Sequence, residues 1–157
     1  MPDIEIKLGQ LPAIKNEHIT FGCFNNLSKI NNEVISLWSK ILKSIPKSKI
    51  FLKTMELNDA YLKKKIINNF KKNNINSDSI ILEGFSSRNE LLGSYNRVDI
   101  ALDPFPYSGG VTSFEAIWMG VPVLTKKGFR YVSHTTESIN HNSGMSNWVA
   151  SDENEYV

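Results

Sequence analysis

Five short apolar runs, each followed by turn chemistry or a helix-period segment, constrain this chain more than any other feature. They are Thr20–Phe24, Lys49–Lys53, Ser79–Glu83, Val98–Leu102 and Val121–Thr125. Rich in Ile, Val, Leu and Phe and not strictly alternating, they have the pattern of strands buried on both faces of a parallel sheet. Between the first two, Val34, Ile35, Leu37, Trp38, Ile41, Leu42 and Ile45 recur at helical spacing. Asn31 or Asn32 supplies the cap of that helix and Pro46 ends it. Asn58 opens a second helix with Leu62, Ile66, Ile67 and Phe70 inward, and Lys63, Lys64, Lys65, Lys71 and Lys72 as a solvated face. Ser87 and Glu90 have capping-box spacing ahead of Leu91, Leu92 and Tyr95. Thr112 and Glu115 repeat that spacing ahead of a fourth helix, which Gly120 and Pro122 stop.

Strands and helices in this alternation build βαβ units, and the right-handed crossover turns them into a doubly wound sheet. The expected fold class is α/β: a Rossmann-like, mostly parallel sheet in the order 3-2-1-4-5 with helices on both faces. A short sixth strand is expected near Trp148. A length of 157 residues is one domain's worth. Residues 1–18 read as a linker or edge segment and 19–157 as a ligand-binding lobe. The closing stretch Ser151–Val157 reads as the capped first turn of a helix that is then cut off, so the expectation is a piece of something larger.

Composition narrows the class. Lys+Arg 18 against Asp+Glu 16 leaves a formal charge of +2, too balanced to advertise a nucleic-acid partner. No apolar run approaches the roughly 18 residues of a membrane span. The start, Met1-Pro2-Asp3-Ile4-Glu5, lacks the basic and apolar regions of a signal peptide. The lone Cys23 has no internal partner, which suits a reducing compartment, so the expected location is cytoplasmic.

In an open doubly wound sheet, ligands bind at the carboxyl ends of the strands where the strand order reverses. In the expected order that point lies between the first and fourth strands. The loop after the first is Asn25-Asn26-Leu27-Ser28-Lys29. Lys29 is either a point charge for a phosphate or an exposed lysine near a helix start. The loop after the fourth is Asp103-Pro104-Phe105-Pro106-Tyr107-Ser108-Gly109-Gly110-Val111. Two prolines stiffen it, two glycines allow close backbone approach, and the helix behind offers free N–H groups, an anion site. A turn without a ligand is the other reading. Thr112 and Glu115 serve as a capping box, as phosphate and ribose contacts, or as both. His18, His134 and His141 are scattered, so no zinc site is expected. The chain has no G-x-S-x-G, no G-x-x-x-x-G-K-[ST] and no G-x-G-x-x-G, which disfavours common α/β hydrolases, P-loop ATPases and classical dinucleotide dehydrogenases.

Three stretches carry a resemblance: Ile19–Ile30, Val98–Gly110, and Glu115–Val123, which reads Glu-Ala-Ile-Trp-Met-Gly-Val-Pro-Val. Together they resemble the catalytic region of the protein O-GlcNAc transferase/SPINDLY family, and the similarity is collinear from about Leu11 to Val157. The resemblance implies the C-terminal, donor-binding lobe of a two-lobed GT-B glycosyltransferase, with the acceptor lobe and tetratricopeptide repeats elsewhere. By it, Lys29 matches the lysine that neutralises the diphosphate leaving group. Asn26, beside Asn25, matches a polar residue at the same phosphates. Thr112 matches a diphosphate contact at the helix start after Gly109, and Glu115 matches an acidic residue on the ribose hydroxyls. Ser86 and Arg88 fall in the loop that reads the base. The sequence departs from the pattern at Leu91, where relatives usually carry histidine, at Val111, where threonine is usual, and at Gly110, a histidine in the animal enzymes.

What this implies is transfer of GlcNAc from UDP-GlcNAc to Ser or Thr of acceptor proteins. Acceptors would be engaged through the missing lobe and repeats, with no metal, and this chain alone would not turn over. GDP-fucose as donor is the alternative, as is a degenerate, non-catalytic binding module. A receiver domain would need acidic residues where Asn25 and Asn26 stand.

Overall fold

The computed structural model describes residues 6–157. The Met1–Glu5 start, read above for targeting signals, lies outside them. Six parallel strands form one sheet in the order β3-β2-β1-β4-β5-β6: β1 (Thr20–Cys23), β2 (Lys49–Lys53), β3 (Ile80–Glu83), β4 (Ile100–Leu102), β5 (Val123–Lys126) and β6 (Val149–Ala150). The doubly wound order and the short sixth strand are as the alternation of elements dictates. The helices are α1 (Pro12–Asn16), α2 (Asn32–Ser44), α3 (Ala60–Lys72), α4 (Arg88–Ser94), α5 (Val111–Trp118), α6 (Thr135–Asn142) and α7 (Glu153–Tyr156).

Successive strand residues point to opposite faces, and the core divides accordingly. Ile50 and Leu52 join Val34, Trp38, Ile41, Ile66 and Phe70 of α2 and α3, and Tyr156 of α7, on one face. Phe51, between them in β2, joins Leu92 and Tyr95 after β3, and Ala116 and Met119 of the α5 region, on the other. Trp38, Phe51 and Phe70 are fully buried. Truncating any of them to alanine costs about 3–5 kcal/mol.

Several boundaries move. Asn58 does not open α3: Met55–Asn58 is a separate 3-10 turn, and Asp59 caps the helix by accepting from the Tyr61 and Leu62 N–H groups. The fourth run starts its ladder at Ile100, because the Asp99 carboxylate takes up the Ala13 and Thr20 N–H groups, each at 2.8 Å. The fifth begins at Val123, after Gly120 has turned the chain with φ 75° and Pro122 has passed. Asn31 caps α2 through the Val34 N–H. The segment before β1 holds α1 and is tied to the turn before β4, where the Gly9 N–H donates to Asn96 Oδ1 at 2.8 Å. Among the described residues no helix is long and apolar enough to cross a membrane.

Candidate functional site

β1 pairs with both β2 and β4, so the order reverses between β1 and β4 and the loops after those two strands leave the same edge side by side. Close approach at this seam requires Gly22, where a Cβ would lie 2.6 Å from a Val98 methyl. Asn31, at the end of the first loop, donates from Nδ2 to the Phe105 carbonyl at 3.0 Å and ties the two loops together.

Lys29 reaches from the first loop into the second. Its Nζ donates to the Ser108 carbonyl at 2.8 Å and more weakly to Asn25 Oδ1 at 3.5 Å, and it lies 4.2 Å from the centre of the Tyr107 ring. Burial lowers the pKa of the ammonium, while Asp103 and Cys23 raise it. Asn25 is buried, and its Oδ1 also accepts from Thr112 Oγ1 at 3.0 Å. One amide oxygen thus joins the lysine of one loop to the helix start behind the other.

Asp103 anchors the second loop from beneath. Its Oδ1 accepts the Gly109 N–H at 2.6 Å and its Oδ2 accepts the Thr125 hydroxyl at 2.7 Å. Burial pushes this carboxyl up to about 6, against the hydrogen bonds from Thr125 and Gly109 that pull it down. Gly109 has no room for a side chain, since a Cβ would sit 2.3 Å from Ser113 Oγ. Ser108 is fastened on its other side by its N–H and hydroxyl, both donating to the Val132 carbonyl.

The second loop delivers the chain to α5 at Gly110, which offers no side-chain cap. The Thr112/Glu115 capping box expected from the spacing is not there. The helix begins at Val111, two residues before the spacing requires, so Thr112 and Glu115 lie inside it and point to other partners. Thr112 donates to Asn25, and Glu115, buried, pairs with the Arg88 guanidinium. The Tyr95 hydroxyl donates to the Thr112 carbonyl at 3.0 Å and fixes the first turn from the side of α4. The N–H groups of that turn are therefore left without a side-chain acceptor.

The expected site residues separate into three groups. Asn25, Lys29, Gly109, Gly110 and Thr112 converge around the start of α5. Arg88 and Glu115 pair between the starts of α4 and α5. Asn26 is exposed and spends its Oδ1 on the Ser28 N–H, capping the turn that carries Lys29. Val111 is 70% exposed, and Ser86 Oγ is buried without a hydrogen-bond partner. Sequence reasoning passed over Asp103 and Ser108. A carboxylate closing a buried strand just ahead of a Gly-Gly turn was the available signal for Asp103, whereas Ser108 acts through its backbone and leaves none. Among the described residues no group of three or more His, Cys, Asp or Glu side chains is placed to hold a metal ion.

Residues 6–157 match glycosyl transferase family 41. A probable UDP-N-acetylglucosamine–peptide N-acetylglucosaminyltransferase SPINDLY from Oryza sativa is 34% identical over 93% of this chain and 16% of its own length. The UDP-N-acetylglucosamine–peptide N-acetylglucosaminyltransferase of Caenorhabditis elegans is 26% identical over 94% of this chain and 12% of its own. A solved mutant of the Thermobaculum terrenum O-GlcNAc transferase superposes with a TM-score of 0.86 at 37% identity, over 88% of this chain and 26% of that one. The chain thus spans about a sixth of the length of the plant relatives it matches.

Proposed function

The chain belongs to glycosyl transferase family 41, and from that premise we propose that residues 19–157 are the nucleotide-sugar-binding lobe of a protein O-glycosyltransferase. The donor is UDP-GlcNAc and the acceptors are Ser and Thr hydroxyls of proteins in the cytoplasm. Acceptor-side groups come from a second lobe, and tetratricopeptide repeats present the acceptor. The observation that carries this reading is the placement of the Lys29 ammonium, through the Ser108 carbonyl, beside the uncapped start of α5.

Transfer breaks the bond between the sugar C1 and the diphosphate oxygen, and the electron pair leaves with the diphosphate. Charge developing there is stabilised by Lys29 and by the N–H groups at Gly110–Thr112, already oriented before the reaction. The α5 dipole adds a modest share. Glu115, once released by Arg88, is free to accept from ribose hydroxyls, and Arg88, with the loop that carries Ser86, reads the base. No metal is assigned a part.

Calorimetric titration with UDP, GDP, UDP-GlcNAc and GDP-fucose tests the reading. UDP-GlcNAc is expected to bind, and Lys29→Ala to bind it about 10- to 100-fold more weakly. Preference for GDP-fucose would reassign the donor. No binding by any of the four would contradict the donor-lobe reading.

A further inference from the structure

One peptide group in the site has a charged residue at each end. The Ser108 carbonyl accepts from Lys29 Nζ at 2.8 Å, and the N–H of the same peptide unit, that of Gly109, donates to Asp103 Oδ1 at 2.6 Å. The negative end of the peptide dipole meets the cation and the positive end meets the carboxylate, so each bond polarises and strengthens the other. We propose that Asp103 is a positioning residue for the donor diphosphate: it clamps the Ser108–Gly109 peptide that holds Lys29, and it takes up a proton as the diphosphate binds. This rests on the donor-lobe reading.

The clamp is rigid because Asp103 is 2% exposed and its second oxygen is held by Thr125 on β5. The same bonds that hold Lys29 also hold Gly109 at the entrance to α5, so one carboxyl orients both the cation and the helix start. The titratable groups facing it are Lys29, Cys23 and Tyr156. Burial pushes the Cys23 thiol up to about 12 and the Tyr156 phenol well above its usual range, so both stay neutral. Lys29 is then the charge that opposes the carboxylate. A diphosphate arriving at Lys29 competes for that positive charge and adds negative charge nearby, which favours the protonated form of Asp103. The proton comes from solvent and sits on a carboxyl oxygen. With Asp103 already near its midpoint at about 6, the uptake is readable close to neutral pH.

The test is calorimetric titration of the 157-residue chain with UDP-GlcNAc and GDP-fucose, between about pH 6 and pH 8, in two buffers of different ionisation enthalpy. Both probes are diphosphate diesters, so their own phosphates do not titrate in that range. The unaltered chain is expected to bind with uptake of a fraction of a proton, its affinity falling about fivefold as pH rises. Asp103→Asn, which keeps an acceptor for Gly109 and a polar partner for Thr125, is expected to fold, bind without proton uptake and show a flat profile. Asp103→Ala is expected to bind without proton uptake and, near pH 6, about tenfold more weakly than the unaltered chain, the loss of a charge-assisted bond. A role confined to folding would lower the melting temperature and leave proton uptake unchanged in Asp103→Asn, which overturns the proposal alone. Failure of the unaltered chain to bind either probe overturns the donor-lobe reading, and this proposal with it.

Discussion

Two helix starts in this lobe share a sequence spacing and have opposite structures. At α4, Ser87 Oγ accepts the Glu90 N–H while Glu90 Oε2 accepts the Ser87 N–H at 2.9 Å, so the capping box is complete. At α5, Thr112 and Glu115 stand at the same separation, yet the helix starts at Val111 behind Gly110 and has no side-chain cap. Its two polar side chains are drawn away, Thr112 to Asn25 across the seam and Glu115 to Arg88 on α4. With glycine at the N-cap, forgoing a side-chain cap costs about a few tenths of a kcal/mol. A lysine, a buried carboxyl and two glycines gathered at the uncapped end account for tolerating that cost. On the proposed reading, an end left open among such groups receives the diphosphate, and an end closed by its own side chains is only a helix start.

The largest effect expected from this contrast lies in the scaffold beneath the open end. Asp103 titrates at about 6 in the folded chain against 3.8 as its ordinary value. The folded state therefore holds more protons than the unfolded state between those values. The stability this group contributes is fully present below about pH 4 and lost as pH rises through about 6, on the order of 3 kcal/mol. Denaturant unfolding across that range should show the slope in the unaltered chain and not in Asp103→Asn. At the open end itself, Lys29→Ala is expected to weaken diphosphate binding by about 10- to 100-fold, the worth of a hydrogen bond to a charged group. Nucleoside binding should change little, which titration with uridine checks.

Ser87→Ala sharpens the contrast from the closed end. It should lower unfolding free energy by about 1 kcal/mol and leave diphosphate affinity unaltered. The smallest expected effect belongs to Gly110→Asp. A Cβ at Gly110 meets nothing closer than the Thr135 methyl at 3.8 Å, so stability should move by no more than about 0.5 kcal/mol. The added carboxylate would occupy the mouth of the proposed diphosphate site and reduce diphosphate affinity several-fold.

The fold was legible because the apolar runs and helical periods are set by burial, which the sequence displays directly. Trp38 and Phe70 stand at the expected inward positions. The switch point followed from strand order, and with it the meeting of Asn25, Lys29 and Gly109. The start of α5 was misread because capping depends on which residue begins the helix, and tertiary partners moved that by two. Nothing in the spacing of Thr112 and Glu115 reveals that Asn25 and Arg88 compete for them. The roles of Asp103 and Ser108 were hidden for another reason. One works through a buried carboxyl and the other through a main-chain carbonyl, and both act on a loop rather than pointing from it.

The most direct test of the account follows amide chemical shifts by NMR while UDP is titrated into the chain. The account predicts that the Gly110, Val111 and Thr112 amides shift strongly with UDP and weakly with uridine, while the Ser87 and Glu90 amides of the closed end shift far less with the added phosphates. Phosphate-dependent shifts concentrated at α4, or none at Gly110–Thr112 under saturating UDP, would contradict it.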